Sequence, residues 1–301
     1  MRAYHCYEQL YEPHQWYEIE LLIQLISVWY WKKHGGSMGI YTEEKHLKVL
    51  EKYGIDKEYD FIDHKELKKE RGIDSRRFWA ISKIKCQLAI PEQEYVILDT
   101  DAYFRELPEL HEDISFTGMH NEHHLTEKGK EVYPSLEQIF SPEMLSIFMP
   151  YSDVMPINTC FLHINDKKLV EEWADLAMRV AKWQSSSAPL HGEMMTVEQR
   201  LLPMLAESQG KLYSALVENV YLPGYEHLGS GSEWTPDPTR EGNLREVGKN
   251  FFHLWGFKKN LTETELRKHI MRTIISDLRV NLPEKYDHAK TIFPTLSLYF
   301  S

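Results

Sequence analysis

The stretch "EYVILDTDAYF" (residues 94–104) is apolar from Tyr95 to Leu98 and then stops at two carboxylates, Asp99 and Asp101, one residue apart. Period-two geometry lets both project to the same side of a strand end. Two hard oxygen ligands side by side suit Mg²⁺ or Mn²⁺, which keep waters and are completed by substrate phosphates. A chain leaving the core for solvent also ends strands in acids, so the pair alone decides nothing. A second stretch, "HLWGFKKN" (253–260), supplies His253, whose neutral imidazole can be a further ligand to a borderline metal. Gly256 would allow close backbone approach to a phosphate, and Lys258 would meet it with a point charge. The plainer alternative is a satisfied strand-end histidine followed by solvated lysines.

Other residues carry weaker signals. Lys83 and Lys85 precede the aspartate strand and could reach phosphates. His120, His123 and His124 lie together in "HNEHH", but no Cys or acid stands at the spacing of a zinc site. Glu193 could assist an acceptor hydroxyl, and Tyr225 or Trp234 could stack on a sugar ring. Trp173, Leu176, Val180 and Trp183 recur at helical spacing and read as core.

The elements that must position these groups follow from the hydrophobic pattern. Residues 15–33 place Trp16, Ile19, Leu22, Ile23 and Ile26 at helical spacing and end on Lys32, Lys33 and a Gly pair. "SMGIYT" reads as a strand, "EEKHLKVLEKYG" as a helix stopped by Gly54, and "YDFID" as another strand. That succession is the βαβ pattern of a parallel sheet with helices on its faces. "RRFWAISKIKCQLA" is a further helix feeding the aspartate strand, and ligands of such sheets gather at the carboxyl ends of strands. Downstream, "VMPINTCFLHIND" and "NFFHLWG" read as strands, with helices over "DKKLVEEWADLAMRVAKWQ", "TVEQRLLPMLAESQG" and "TETELRKHIMRTIISDLRV". Residues 223–243 are rich in Gly, Ser and Pro and read as a loop long enough to be a lid.

Composition narrows the function classes. A chain of 301 residues is ample for a large core, and a formal charge of −11 excludes nucleic acid as an expected partner. The same charge would repel a polyanion, so a phosphate ligand needs a metal or a local cluster of Lys and Arg. Cys6, Cys86 and Cys160 are widely spaced and odd in number, which predicts reduced thiols in a cytoplasmic protein. The most apolar run, Leu21 to Trp31, is about half a bilayer span, so no transmembrane segment is expected.

Together, "YVILDTDAYF", "INTCFLHIN" and "HLWGFKK" resemble, in order, the motifs of GT-A-fold glycosyltransferases. The likeness is to the retaining enzymes related to glycogenin and the lipopolysaccharide galactosyltransferases. It covers roughly residues 1 to 260. It implies an α/β, Rossmann-like mixed sheet, mainly parallel and flanked by helices, with residues 1–261 as the transferase domain and 262–301 as its helical extension. It further implies a hexosyltransferase of polysaccharide biosynthesis, with Asp99, Asp101 and His253 on Mn²⁺ or Mg²⁺ and Lys258 on the donor diphosphate. A nucleotide sugar is the implied donor and a saccharide or glycolipid the acceptor. Glu198-Gln199 correspond to the family's Asp-Gln pair near the anomeric carbon. Gly256, Asn158 and Lys83 would line the donor. Apart from the resemblance, the composition of the 223–243 loop and its place before the His253 strand suit either a lid over such a donor or a passive surface connection.

The sequence departs from the family at Asn260, where Pro usually follows the Lys, and at Asn158-Thr159-Cys160, which replaces Asn-x-Gly. These departures keep open a degenerate member that binds a nucleotide sugar or glycan without transfer. A Mg²⁺-dependent phosphatase is a third reading. Its Asp-x-Asp-x-Thr pattern meets Tyr103 at the Thr position.

Overall fold

Successive residues along each central strand bury on opposite faces of one sheet. Ala3, Met38, Ile40, Val96 and Leu98 pack into one hydrophobic cluster, while Tyr4, Tyr41, Tyr95 and Ile97 pack into another. This is the signature of a sheet covered on both sides. The computed structural model describes residues 1–8, 16–67, 72–122, 124–125, 127–190, 192–217, 251–254 and 264–300.

In chain order the strands are β1 (Arg2–Tyr7), β2 (Ser37–Thr42), β3 (Phe61–Asp63), β4 (Tyr95–Leu98), β5 (Ala102–Phe104), β6 (Phe116–His120), β7 (Phe161–Ile164), β8 (Tyr213–Val217) and β9 (Phe251–His253). Seven of them form a mixed sheet in the order β3-β2-β1-β4-β7-β6-β8. The β3-β2-β1-β4 half is parallel, β7 runs against both β4 and β6, and β8 is parallel to β6. β5 and β9 form a separate antiparallel pair.

The first face is covered by α1 (Tyr17–Lys33), by Leu50 of α2 (Glu44–Tyr53), and by Met271, Ile274 and Leu278 of the C-terminal helix Thr264–Asn281. Helix α1 is buried around most of its circumference from Leu21 to Trp31, because sheet and C-terminal helices enclose it. Each buried Leu or Ile contributes about 1.5–3 kcal/mol, so this helix is a main source of stability. Gly54 ends α2 with φ 70°, a left-handed cap that suits glycine.

The remaining helices among the described residues are α3 (Ile81–Cys86), α4 (Glu127–Val132), α5 (Leu136–Ile139), α6 (Pro142–Phe148), α7 (Lys167–Ser185), α8 (Glu193–Met195), α9 (Leu201–Ser208) and, after the helix Thr264–Asn281, the helix Pro283–Ile292. Ile84, Leu136, Met144, Trp173, Val180 and Leu202 join the second-face cluster. Asp166 caps α7 by accepting from the Leu169 N–H at 3.1 Å. The mixed, mainly parallel sheet flanked by helices and the helical C-terminal region agree with the fold expected from the sequence.

Several details differ from that expectation. β1 lies at the centre of the parallel half, yet "RAYHCY" gave no strand signal, because a fully buried histidine interrupts its apolar run. His5 is accommodated by hydrogen bonds with the Tyr59 hydroxyl (2.7 Å) and Ser27 Oγ (3.1 Å). The helix before β4 is only six residues long. Trp183, expected in the core, is half exposed, whereas Trp173 is buried and donates to the Val197 carbonyl at 3.0 Å. Cys6 and Cys86, expected as thiols, form a disulfide across a sequence separation of 80. Sequence separation says little about spatial separation here, because α3 packs directly on β1.

Candidate active site at the strand ends

Strand β4 delivers Asp99 to its carboxyl end. The Asp99 N–H donates to the Cys160 carbonyl at 2.8 Å, and its own carbonyl accepts from the Ala102 N–H at 3.1 Å. This turn reverses the chain into β5 and leaves Asp99 and Asp101 at the corner. β5 then pairs with β9 so that Ala102 lies opposite His253, and the Leu254 N–H donates to the Asp101 carbonyl at 2.9 Å. The small sheet is therefore what carries a distant histidine to the aspartates.

One ligand atom from each of Asp99, Asp101 and His253 lies within 4.8 Å of the others. His253 Nε2 is 3.7 Å from Asp101 Oδ1. The two carboxylates fit Mn²⁺ or Mg²⁺ in charge and hardness, and the borderline imidazole suits Mn²⁺ better than Mg²⁺. Asp101 is buried and Asp99 half-buried, so a cation here would be shielded on the protein side and open on the other. Among the described residues this is the one cluster able to hold a metal.

Lys83, on α3, reaches the same corner. Its Nζ lies 2.7 Å from Asp99 Oδ1, 2.9 Å from Glu198 Oε1 and 2.7 Å from the Thr159 carbonyl, contacts that use its three protons. Burial alone would lower its pKa, but Asp99 and Glu198 outweigh that and raise it. Burial raises the Asp99 pKa, the Lys83 charge opposes this, and the Asp101 charge adds to it. Lys83 is thus a brace between two carboxylates.

Glu198 and Gln199 sit on a π-helical turn, Thr196–Arg200, between α8 and α9, with all five residues buried. A π turn changes the facing of consecutive side chains, and such turns recur at functional sites. Gly192 begins this segment at φ 77°, where a Cβ would stand 1.7 Å from the Val132 carbonyl oxygen. Glu198 Oε1 also accepts from Thr159 Oγ1 at 2.7 Å. The Tyr133 hydroxyl lies between Gln199 Oε1 and Glu122 Oε2 and donates its one proton to either of them. Asn158 Nδ2 donates to Glu122 Oε1 at 3.1 Å, and Asn158 Oδ1 accepts from the Cys160 N–H at 3.0 Å. The corner and the π turn are therefore one continuous polar network.

No protein-family model and no curated protein matches the chain. Among solved structures, the chain is similar to the glycosyltransferase GlyE of Streptococcus pneumoniae TIGR4, with 12% identity and a TM-score of 0.47 over 97% of this chain. It is similar to an active-site mutant of LgtC, with 13% identity and a TM-score of 0.41 over 80% of this chain and 82% of that one. It is also similar to a glycosyltransferase involved in the glycosylation of the major capsid of PBCV-1, with 14% identity and a TM-score of 0.34 over 74% of this chain and 83% of that one. The chain spans 64% of the length of GlyE.

The structure brings Asp99, Asp101, His253, Lys83, Asn158, Glu198 and Gln199 into this region. Gly256, Lys258, His123 and the 223–243 loop with Tyr225 and Trp234 lie outside the described residues. Glu193 is held elsewhere. It is buried and takes two hydrogen bonds of 2.6 Å from Arg77, a structural pairing. Glu122, Tyr133 and Thr159 escaped the sequence reading. Glu122 looked like part of a polar loop, and Thr159 registered only as an interruption of Asn-x-Gly. No helix among the described residues is long and apolar enough to cross a membrane.

Proposed function

We propose that the protein is a metal-dependent GT-A glycosyltransferase that moves a hexose from a nucleotide sugar to a saccharide or glycolipid acceptor, with retention at the anomeric carbon. The observation that carries this reading is the convergence of Asp99, Asp101 and His253 at the carboxyl end of β4, joined through Lys83 to Glu198. The sequence resemblance supplies the substrate class.

In this reading Asp99, Asp101 and His253 hold a divalent cation, with Lys258 and Gly256 facing the donor diphosphate. A cation held there would supply positive charge against the charge developing on the leaving diphosphate, where stabilisation lowers the barrier. Lys83 fixes the Asp99 carboxylate and keeps Glu198 from repelling it. Tyr133 and Glu122 hold the Gln199 carboxamide in one orientation, and Asn158 ties Glu122 to β7. Preorganised dipoles of this kind cost no rearrangement during reaction. A cytoplasmic setting belongs to the reading, and the Cys6–Cys86 disulfide is the feature that bears against it.

One observation favours a binding protein without transfer: Glu198 is engaged by both Lys83 and Thr159, so it is not free to act on a substrate. The phosphatase reading lacks a hydroxyl where it needs one. Tyr103 is fully buried, stacked on Tyr30 and Phe252, with its hydroxyl bonded to Asp277.

Incubation with a panel of nucleotide sugars and Mn²⁺ tests the proposal. Transfer, or slow donor hydrolysis, supports it. Donor binding without turnover supports the binding protein, and neither binding nor turnover overturns both. Proton NMR of the anomeric signal in the product decides between retention and inversion.

A further inference from the structure

We propose that Arg200 receives a carboxylate or phosphate carried by the acceptor, which makes the acceptor an acidic sugar or sugar phosphate. This rests on the glycosyl-transfer reading and names the acceptor class that reading leaves open.

Arg200 ends the π turn, directly after Gln199, and is only 5% exposed. Nη2 donates to the Ser152 carbonyl at 2.5 Å, while Nε is buried without a partner. No carboxylate pairs with it among the described residues. Two partly buried arginines elsewhere are each held by a carboxylate. Arg77 holds Glu193 through two hydrogen bonds, and Arg105 holds Asp277 through two. A guanidinium is always charged and offers a planar fork suited to two-point binding of carboxylate or phosphate. Burying one without an anion is costly, and here burial pushes its pKa down to about 10 although Tyr133, Asp153 and Glu137 act in the opposite direction.

Position assigns the missing anion to the acceptor. Along the π turn, Glu198 faces Lys83 and the aspartate corner, Gln199 faces Tyr133, and Arg200 reaches Ser152. His124 Nε2 lies 3.0 Å from that same Ser152 carbonyl and its ring packs edge-on to Tyr133. Arg200 is thus carried by the same π turn whose Glu198 reaches the aspartate corner, one residue past Gln199. The fork is common to uronates and sugar phosphates, so the test separates them.

Calorimetric titrations of the whole chain in metal-free buffer would use methyl glucuronide, glucose 6-phosphate and neutral methyl glucoside. Omitting metal keeps phosphate from being drawn to a cation at the aspartates. One or both anionic sugars should bind at least tenfold tighter than the glucoside, and which one does names the source. Arg200→Gln should erase the preference, and Arg200→Lys, a point charge without the fork, should keep only part of it. Equal binding of all three sugars by the unaltered protein overturns the inference. So does an undiminished preference in Arg200→Gln, or in Arg200→Lys if the Gln variant does not fold. Donor hydrolysis by the unaltered protein needs no acceptor, so it reports separately on glycosyl transfer.

Discussion

Lys83 Nζ lies 2.7 Å from Asp99 Oδ1, and this contact ties the end of β4 to a helix on the second face of the sheet. The same nitrogen holds Glu198 at 2.9 Å, so one buried cation neutralises a buried carboxylate and a half-buried one. Removing it leaves both acids facing each other with no compensating charge. Lys83→Met should therefore cost about 3–5 kcal/mol of stability, as the loss of one partner of a buried ion pair does. Urea denaturation would measure it. Adding Glu198→Gln to that variant should recover part of the loss; if the two losses simply add, the brace is not acting as described.

The aspartate corner makes a second expectation. Asp101→Asn removes one ligand charge while keeping the shape of the turn, so Mn²⁺ affinity by calorimetry should fall at least about a hundredfold, the upper end of what even supporting residues contribute. Glu94→Gln, which alters a carboxylate paired with His163 on β7, should leave Mn²⁺ binding unchanged. Equal affinity of the Asp101 variant and the unaltered protein would remove the metal from the proposed function.

Much of this cluster was legible because few residue types can ligate a metal. Asp99, Asp101 and His253 announced themselves by chemistry, and the βαβ pattern placed the aspartates at a strand end. What could not be read was the register of β5 on β9, which sets the distance from Asp101 to His253. Lys83 was legible as a cation but not as a brace, because its partners Glu198 and Thr159 come from remote segments. Glu193 misled for the converse reason: an acid in a polar stretch gives no sign of a bidentate arginine from residue 77. The π turn was hidden altogether. "TVEQR" has three consecutive polar residues, which α-helical periodicity would send to different faces, and only the packed structure buries all of them.

The Cys6–Cys86 bond closes a loop of 80 residues. Crosslinks of that span typically contribute about 2–4 kcal/mol, mainly by restricting the unfolded chain. Reduction with dithiothreitol, or Cys86→Ser, should lower the melting temperature by roughly 3–6 °C. Cys160→Ser changes a buried thiol outside the bond and should not reproduce the effect of the reductant. A melting temperature indifferent to reductant would mean that the thiols are not joined in solution.

Acid sensitivity should begin near the histidine range, well above that of carboxylates. His46 is buried, bonds through Nδ1 to the Tyr17 hydroxyl at 2.9 Å, packs tilted against Tyr7 with ring centroids 4.2 Å apart, and has no partner for Nε2. Burial, with a smaller push from His5, lowers its pKa from 6.5 to about 3. His5 is lowered likewise to about 3 by burial, against the pull of Asp101. Both rings are neutral in the fold, whereas the unfolded chain protonates them below pH 6.5. The unfolded state therefore binds the extra protons, so stability is complete above pH 6.5 and declines as pH falls from 6.5 toward 3. Each histidine contributes a slope of about 1.4 kcal/mol per pH unit, or on the order of 2 kcal/mol between pH 7 and pH 5. Urea unfolding free energies measured at half-unit steps would show that slope. His46→Gln should reduce it by about one proton's worth even if the variant is less stable at pH 7. An unchanged slope between pH 6.5 and pH 5 in that variant would mean that His46 takes up its proton without unfolding.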